Sequence, residues 1–129
     1  NATDILVVLL PLTLLTQGII TYRLLRQLRR RNGLGGAVLI NAGRGRLQSD
    51  ADIVRALEDG TLKEASLDVF EMEPLPKTSP LWGHPRVFVT PHAAATSDPN
   101  HLVKPMLDQM DALERGEPLQ NVVDIEAGY

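Results

Sequence analysis

Four short apolar runs, spaced along the chain with helical or loop-like segments between them, limit this sequence to very few folds. The runs are Ile5-Leu-Val-Val-Leu-Leu10, Ala37-Val-Leu-Ile-Asn41, Ala65-Ser-Leu-Asp-Val-Phe70 and Val87-Phe-Val-Thr90. Each is too short for a buried helix and rich enough in β-branched residues for a strand. The first is continuously apolar, as expected of a strand covered on both faces. Strand and helix in alternation predict an α/β protein with a parallel sheet and right-handed crossovers.

The segments between the runs carry their own signals. A helix is expected from about Ile20 to Arg31, with Leu24, Leu25 and Leu28 inward and Arg23, Arg26, Arg29, Arg30 and Arg31 on a solvated face. Asn32-Gly33 and Gly35-Gly36 read as its stop and the following turn. Ser49 is placed to cap a second helix, with Asp50 and Asp52 at its dipole-positive end, Ile53, Val54 and Leu57 inward, and Gly60 at its close. A loop with Pro74, Pro76 and Pro80 leads to the fourth run. A last helix is expected from about Asp98 to Arg115, presenting Val103, Met106, Met110 and Leu113, with Pro105 bending it or starting it afresh.

Composition narrows the function classes. The 129 residues suit one domain, and no internal boundary is evident. No Cys is present, which removes disulfides, thiol nucleophiles and Cys-ligated metals, and fits a cytoplasmic protein. A formal net charge of −3 gives no electrostatic reason to expect nucleic acid or an anionic membrane as partner. The apolar stretch from Ile5 to Leu15 is interrupted by Pro11 and Thr13 and is too short to span a bilayer. The chain opens at Asn1-Ala2 without Met and enters its first apolar run almost at once, so it reads as the later part of something longer.

Three polar residues stand just past three of the runs: Arg44, Glu73 and His92. Open parallel sheets place ligands outside the carboxyl ends of their strands, so these side chains are expected to converge on one crevice. Together they provide an anion clamp, a carboxylate and a proton shuttle suited to a small carboxylic acid. Arg44 lies between Gly43 and Gly45, which let the main chain come close to a ligand. Asp68 interrupts an apolar run, where an unpaired carboxylate is costly. A structural hydrogen bond to a neighbouring loop would account for it.

The segments Leu39-Ile-Asn-Ala-Gly-Arg-Gly-Arg46, Leu67-Asp-Val-Phe-Glu-Met-Glu-Pro-Leu-Pro76 and Leu81-Trp-Gly-His-Pro-Arg-Val-Phe-Val-Thr-Pro-His-Ala-Ala94 resemble the D-isomer-specific 2-hydroxyacid dehydrogenases. Leu75-Pro76, Leu81-Trp82 and the terminal Gly128-Tyr129 point to the glyoxylate/hydroxypyruvate reductase branch. The resemblance runs from about Asp4 to the C-terminus. It departs at Leu14-Leu15, where the family commonly has Pro-Glu. It implies that residues 1–129 are one partial domain: the second half of a Rossmann-type NAD(P)-binding domain plus a C-terminal helix, without the glycine-rich first βαβ unit and most of the substrate domain.

The same resemblance implies roles. His92 is the acid/base, Glu73 the carboxylate that orients the imidazole and favours its protonated form, and Arg44 the carboxylate clamp. For the cofactor, NAD or NADP, it implies contacts from Leu10, Pro11, Asn41, Ala42, Gly43, Arg44, Asp68 and His92, with Asp68 on the nicotinamide carboxamide. Glu71 competes with Glu73, and the Glu-Pro pair favours the latter. Trp82 is expected in the core or on a pocket wall, His84 is read as a loop residue, His101 as a helix-surface residue, and Arg46 as solvent-facing or ion-paired. No metal is implied.

The expected activity is reduction of a small 2-oxo acid of the glyoxylate or hydroxypyruvate type, weak or absent in these residues alone. Two other readings stand beside it: a self-associating interaction module, and a half-domain that needs a complementary fragment. Because the first strand would be central in a complete doubly wound sheet, its bared edge predicts a homodimer or higher homo-oligomer through Ile5–Leu10.

Overall fold

The computed structural model describes residues 2–31, 33–95 and 97–128. Asn1, Asn32 of the expected turn, Thr96 and Tyr129 of the terminal pair lie outside the described residues. Contacts gather the chain into two compact units, Asn1–Ala94 and Ala95–Tyr129.

The first unit holds β1 (Ile5–Val8), α1 (Tyr22–Leu25), β2 (Ala37–Asn41), a 3-10 turn (Gly45–Leu47), α2 (Asp50–Glu58), β3 (Leu62–Leu67) and β4 (Val87–Val89). Its four strands form one parallel sheet in the order β1-β2-β3-β4. Their carboxyl ends lie in register: Val8 pairs with Asn41, Asn41 with Leu67, and Leu67 with Val89. The ladder runs one step past that rung through Ala42 N–H to Val8 O (3.1 Å), Asp68 N–H to Asn41 O (2.9 Å) and Thr90 N–H to Leu67 O (3.0 Å). The loops bearing the candidate residues therefore all leave from one line.

One face of the sheet is the core. Val8, Ala37, Leu39, Leu62, Ala65 and Leu67 are buried against Ile53, Ala56 and Leu57 of α2 and against Leu25 and Leu28. Burying a Leu or Ile side chain contributes ~1.5–3 kcal/mol, so this layer holds the unit together. Ser49 caps α2 as expected, its hydroxyl accepting from Asp52 N–H.

The other face differs from expectation. Ile5, Val7 and Leu9 are 49%, 53% and 69% exposed, and Phe88 is exposed as well. β1 is thus an edge strand with one covered face. A continuous apolar run cannot by itself tell one covered face from two.

Boundaries moved too. α1 is a single short turn, not a helix over 20–31. Thr21 caps it by accepting from Leu24 N–H, the Arg26 N–H closes back on Tyr22 and Leu24, and Arg29 N–H bonds Thr3 O beside β1. The arginines are exposed, as expected of a solvated face. β3 starts and ends three residues earlier than expected, because pairing with β2 begins at Leu62, directly after the Gly60 turn.

The second unit contains α3 (Pro99–Glu114), capped by Asp98, whose carboxylate accepts from Asn100 N–H at 2.9 Å. It runs through Pro105 without interruption. A single proline forgoes one intrahelical bond, and the Lys104–Asp108 pair (2.9 Å) spans the same turn. Among the described residues, no helix is long and apolar enough to cross a membrane.

Gly45 marks the tightest backbone approach. A Cβ there would lie 1.8 Å from the carbonyl oxygen of Phe70 and 2.1 Å from its carbon. Gly45→Ala is expected to destabilise the fold by more than ~2 kcal/mol in denaturant unfolding, whereas Gly83→Ala, with open space around it, should change stability by no more than about 0.5 kcal/mol. Equal effects from the two would refute this packing.

Candidate active site

The loop after β4 is shaped by one carboxylate. Asp68, the first residue beyond β3, is buried, and its Oδ1 accepts from Thr90 Oγ1 and from Ala93 N–H (2.9 Å). Its Oδ2 accepts from Ala94 N–H (2.9 Å), and its main-chain oxygen from His92 N–H (2.9 Å). Of the two readings of Asp68, these bonds supply the loop anchor. They also hold His92 in the left-handed region, at φ 55°. A non-glycine residue there stores strain on the order of 1–3 kcal/mol, which persists only when surrounding bonds dictate the backbone.

His92 meets Glu73 as expected. The imidazole Nδ1 lies 2.8 Å from Glu73 Oε2, while Glu73 Oε1 accepts from Phe70 N–H at 3.0 Å. An ionised carboxylate only accepts, so Nδ1 carries the hydrogen and Nε2 is left for a ligand. Burial pushes the Glu73 carboxyl up, but the hydrogen bond from His92, the bond from Phe70 N–H and the His92 charge outweigh it against the Asp68 charge. The net position is below the ordinary 4.5. Asp68 behaves alike: burial raises it, and the bonds from Thr90, Ala93 and Ala94 with the His92 charge bring it below 3.8. Both groups are carboxylates at neutral pH. Glu71, the competitor, is spent elsewhere, accepting from Asp50 N–H.

A cavity of about 730 Å³ opens here. Asp68, Glu73, Thr90 and His92 give it a polar lining, and Phe70, Leu75 and Trp82 an apolar one. Trp82 is a pocket wall and not core: it is 55% exposed, with its indole N–H donating to Pro76 O at 3.0 Å. His84 accepts from Arg86 N–H, and His101 is an exposed helix residue near Asp98.

Arg44 does not join that lining. It stands at the carboxyl end of β2, exposed, with Nη1 donating to Gly43 O at 2.8 Å. The structure thus pairs Glu73 with His92 directly and leaves Arg44 one strand away. Leu10 and Pro11 follow β1, and the Leu10 backbone lies 3.0 Å from where a Cβ on Gly43 would sit. Asn41 is fully buried, and its amide is committed to Gly43 N–H (3.0 Å), Arg44 O (3.3 Å) and Gln48 Oε1 (2.8 Å). Its side chain therefore shapes the 42–45 loop from below.

Gln48 and Thr90 escaped the sequence reading as site residues. Gln48 stands between Leu47 and the capping Ser49 and reads there as an ordinary loop residue; nothing local signals its burial. Thr90 could have been found from Asp68, since a buried carboxylate demands donors.

The family model described as D-isomer specific 2-hydroxyacid dehydrogenase, NAD binding domain, matches residues 1–94. Glyoxylate/hydroxypyruvate reductase A of Salmonella newport is 46% identical over 129 residues, which is 100% of this chain and 40% of that enzyme. A glyoxylate/hydroxypyruvate reductase from Sinorhizobium meliloti, NADPH-dependent and solved with NADP and sulfate, superposes with a TM-score of 0.94 at 50% identity. That match covers 98% of this chain and 40% of the other. A probable 2-hydroxyacid dehydrogenase from Rhizobium etli, solved with NADP, HEPES and L(+)-tartaric acid, gives 0.90 at 55% identity with the same coverage. The chain spans about two fifths of the length of these three relatives.

Proposed function

Since this chain belongs to the D-isomer specific 2-hydroxyacid dehydrogenases, we propose that it carries the proton-transfer and nicotinamide-facing part of a reductase for small 2-oxo acids of the glyoxylate or hydroxypyruvate type. The observation that carries the reading is the 2.8 Å His92–Glu73 pair on the wall of a cavity at the carboxyl end of the sheet.

The residues fit the nicotinamide end of NAD or NADP. The cavity joins apolar walls to a polar margin, as a flat ring bearing an amide requires, and Leu10, Pro11, Ala42, Gly43 and Asp68 lie on the same line of strand ends. When bound, the reduced cofactor supplies the hydride. His92 donates a proton from Nε2 to the oxygen of the substrate carbonyl, and Glu73 holds the imidazole through Nδ1. Arg44 swings from Gly43 O to grip the substrate carboxylate, which its planar fork can bind through two parallel bonds. Trp82, Leu75 and Phe70 limit water at the reacting carbon.

These 129 residues contain no G-x-G-x-x-G turn opening a helix. Orienting both reactants contributes up to ~7–11 kcal/mol to such reactions, so turnover by these residues alone is weak or absent. Binding is testable directly, because Trp82 is the sole tryptophan and lines the cavity. With NADPH present, glyoxylate should change its fluorescence saturably, and Arg44→Ala should weaken that response about tenfold, the value of one charge-assisted hydrogen-bonded contact. An unsaturable signal, or one indifferent to Arg44, would count against the clamp. NADPH oxidation that is rapid and lost in His92→Ala would refute the expectation of weak turnover while supporting the role of His92.

A second reading rests on β1. Its outer edge has no strand partner among the described residues, and Ile5 and Val7 are half exposed. Such an edge templates pairing with another chain, so self-association through Ile5–Leu10 is expected, with a complementary fragment as the competing partner. Sedimentation at micromolar concentration should give a dimer or larger species that Val7→Lys dissociates. A monomeric wild-type chain would exclude self-association.

A further inference from the structure

Gln48 is 2% exposed, yet its amide reaches three separate elements. Its Oε1 accepts from Asn41 Nδ2 (2.8 Å) at the end of β2. Its Nε2 donates to Asp50 Oδ1 (2.8 Å) in the first turn of α2 and to Val69 O (3.2 Å) just past β3. Asn41 in turn holds the Arg44 loop through Gly43 N–H and Arg44 O. Val69 precedes Phe70, whose N–H is held by Glu73. The same two loops touch where Gly45 abuts the Phe70 main chain.

We infer that Gln48 is a positioning residue that sets the distance between the Arg44 clamp and the Glu73–His92 pair. The inference rests on the functional reading above and deepens it. A side-chain amide suits the task because it accepts on one side and donates twice on the other. A buried Leu would leave Asn41 Nδ2 and Val69 O each without one of their partners. A Glu would keep the acceptor but bring a negative charge against Asp50. The charged groups around that position are Asp50, Glu71 through its bond to Asp50 N–H, and Glu73 beyond Phe70. Protonation of such a Glu restores one donor, so its defect should be reversed by acid.

The test is backbone hydrogen exchange by NMR in Gln48→Leu and Gln48→Glu, with glyoxylate affinity measured in parallel. In Gln48→Leu, the Gly43 and Phe70 amides should exchange at least about tenfold faster after loss of a buried partner, while Val38 and Ala65 in the sheet stay within about twofold. Gln48→Glu, which keeps the acceptor for Asn41, should speed Phe70 exchange at neutral pH and recover in part, after correction for intrinsic rates, as pH falls through the carboxylate range. If Gln48→Leu fails to fold, Gln48→Glu decides alone. Glyoxylate affinity should fall in Gln48→Leu only while Arg44 is present, and the two losses should not add in Gln48→Leu/Arg44→Ala. Unchanged exchange at Gly43 and Phe70, loss of protection throughout the sheet, or additive losses of affinity would overturn the inference. If Arg44→Ala alone leaves affinity intact, the clamp reading fails, and the exchange and its acid reversal still decide what Gln48 holds.

Discussion

The arrangement around His92 depends on the buried carboxylate of Asp68. It collects Thr90 Oγ1 and the N–H groups of Ala93 and Ala94, and the adjoining carbonyl takes the N–H of His92. A carboxylate with no donors would be costly in that position, and a histidine at φ 55° would relax if nothing held it. One set of hydrogen bonds answers both. The strand end supplies the anion, the loop supplies the donors, and the outcome is an imidazole held against Glu73 at hydrogen-bond distance.

The sheet contributes register. Val8, Asn41, Leu67 and Val89 share one rung, so loops distant in sequence begin at a common level. Neighbouring strands lie about 4.8 Å apart, and a spacing of one or two strands is within reach of a long side chain such as Arg44. Its guanidinium folds onto Gly43 O, and it leaves from the end of β2, whereas Glu73 and His92 follow β3 and β4. Buried amides, Asn41 and Gln48, hold that loop in place. Among the described residues no buried side-chain nitrogen or oxygen lacks a partner, which is the condition for a polar layer to rigidify a site instead of weakening it.

Much of this was legible from residue pattern. The parallel sheet followed from four short apolar runs, and the Ser49 cap and Gly60 stop followed from local chemistry. Glu73 meets His92, while Glu71 is taken up by Asp50 N–H. Other features were invisible for stated reasons. The run Ile5–Leu10 carried no sign that only one face would be covered, since burial on the second face depends on what packs there. The short α1 came from a cap at Thr21 and a long-range bond from Arg29 to Thr3, neither of which periodicity records. The unbroken α3 shows that one absent hydrogen bond is tolerable within sixteen helical residues. Gln48 was missed because a polar residue in a loop reads as surface until its bonds to Asn41, Asp50 and Val69 are seen.

The position of His92 against Glu73 follows from the bonds that Asp68 collects. Imidazole nitrogen NMR of the wild-type chain and Asp68→Asn measures this directly. An amide in place of the carboxylate would confront the Thr90, Ala93 and Ala94 donors with a donor of its own. The wild type should show a downfield Nδ1–H proton bonded to Glu73. Asp68→Asn should lose it while the sheet amides keep their shifts. A variant that retains that proton unchanged would contradict the account.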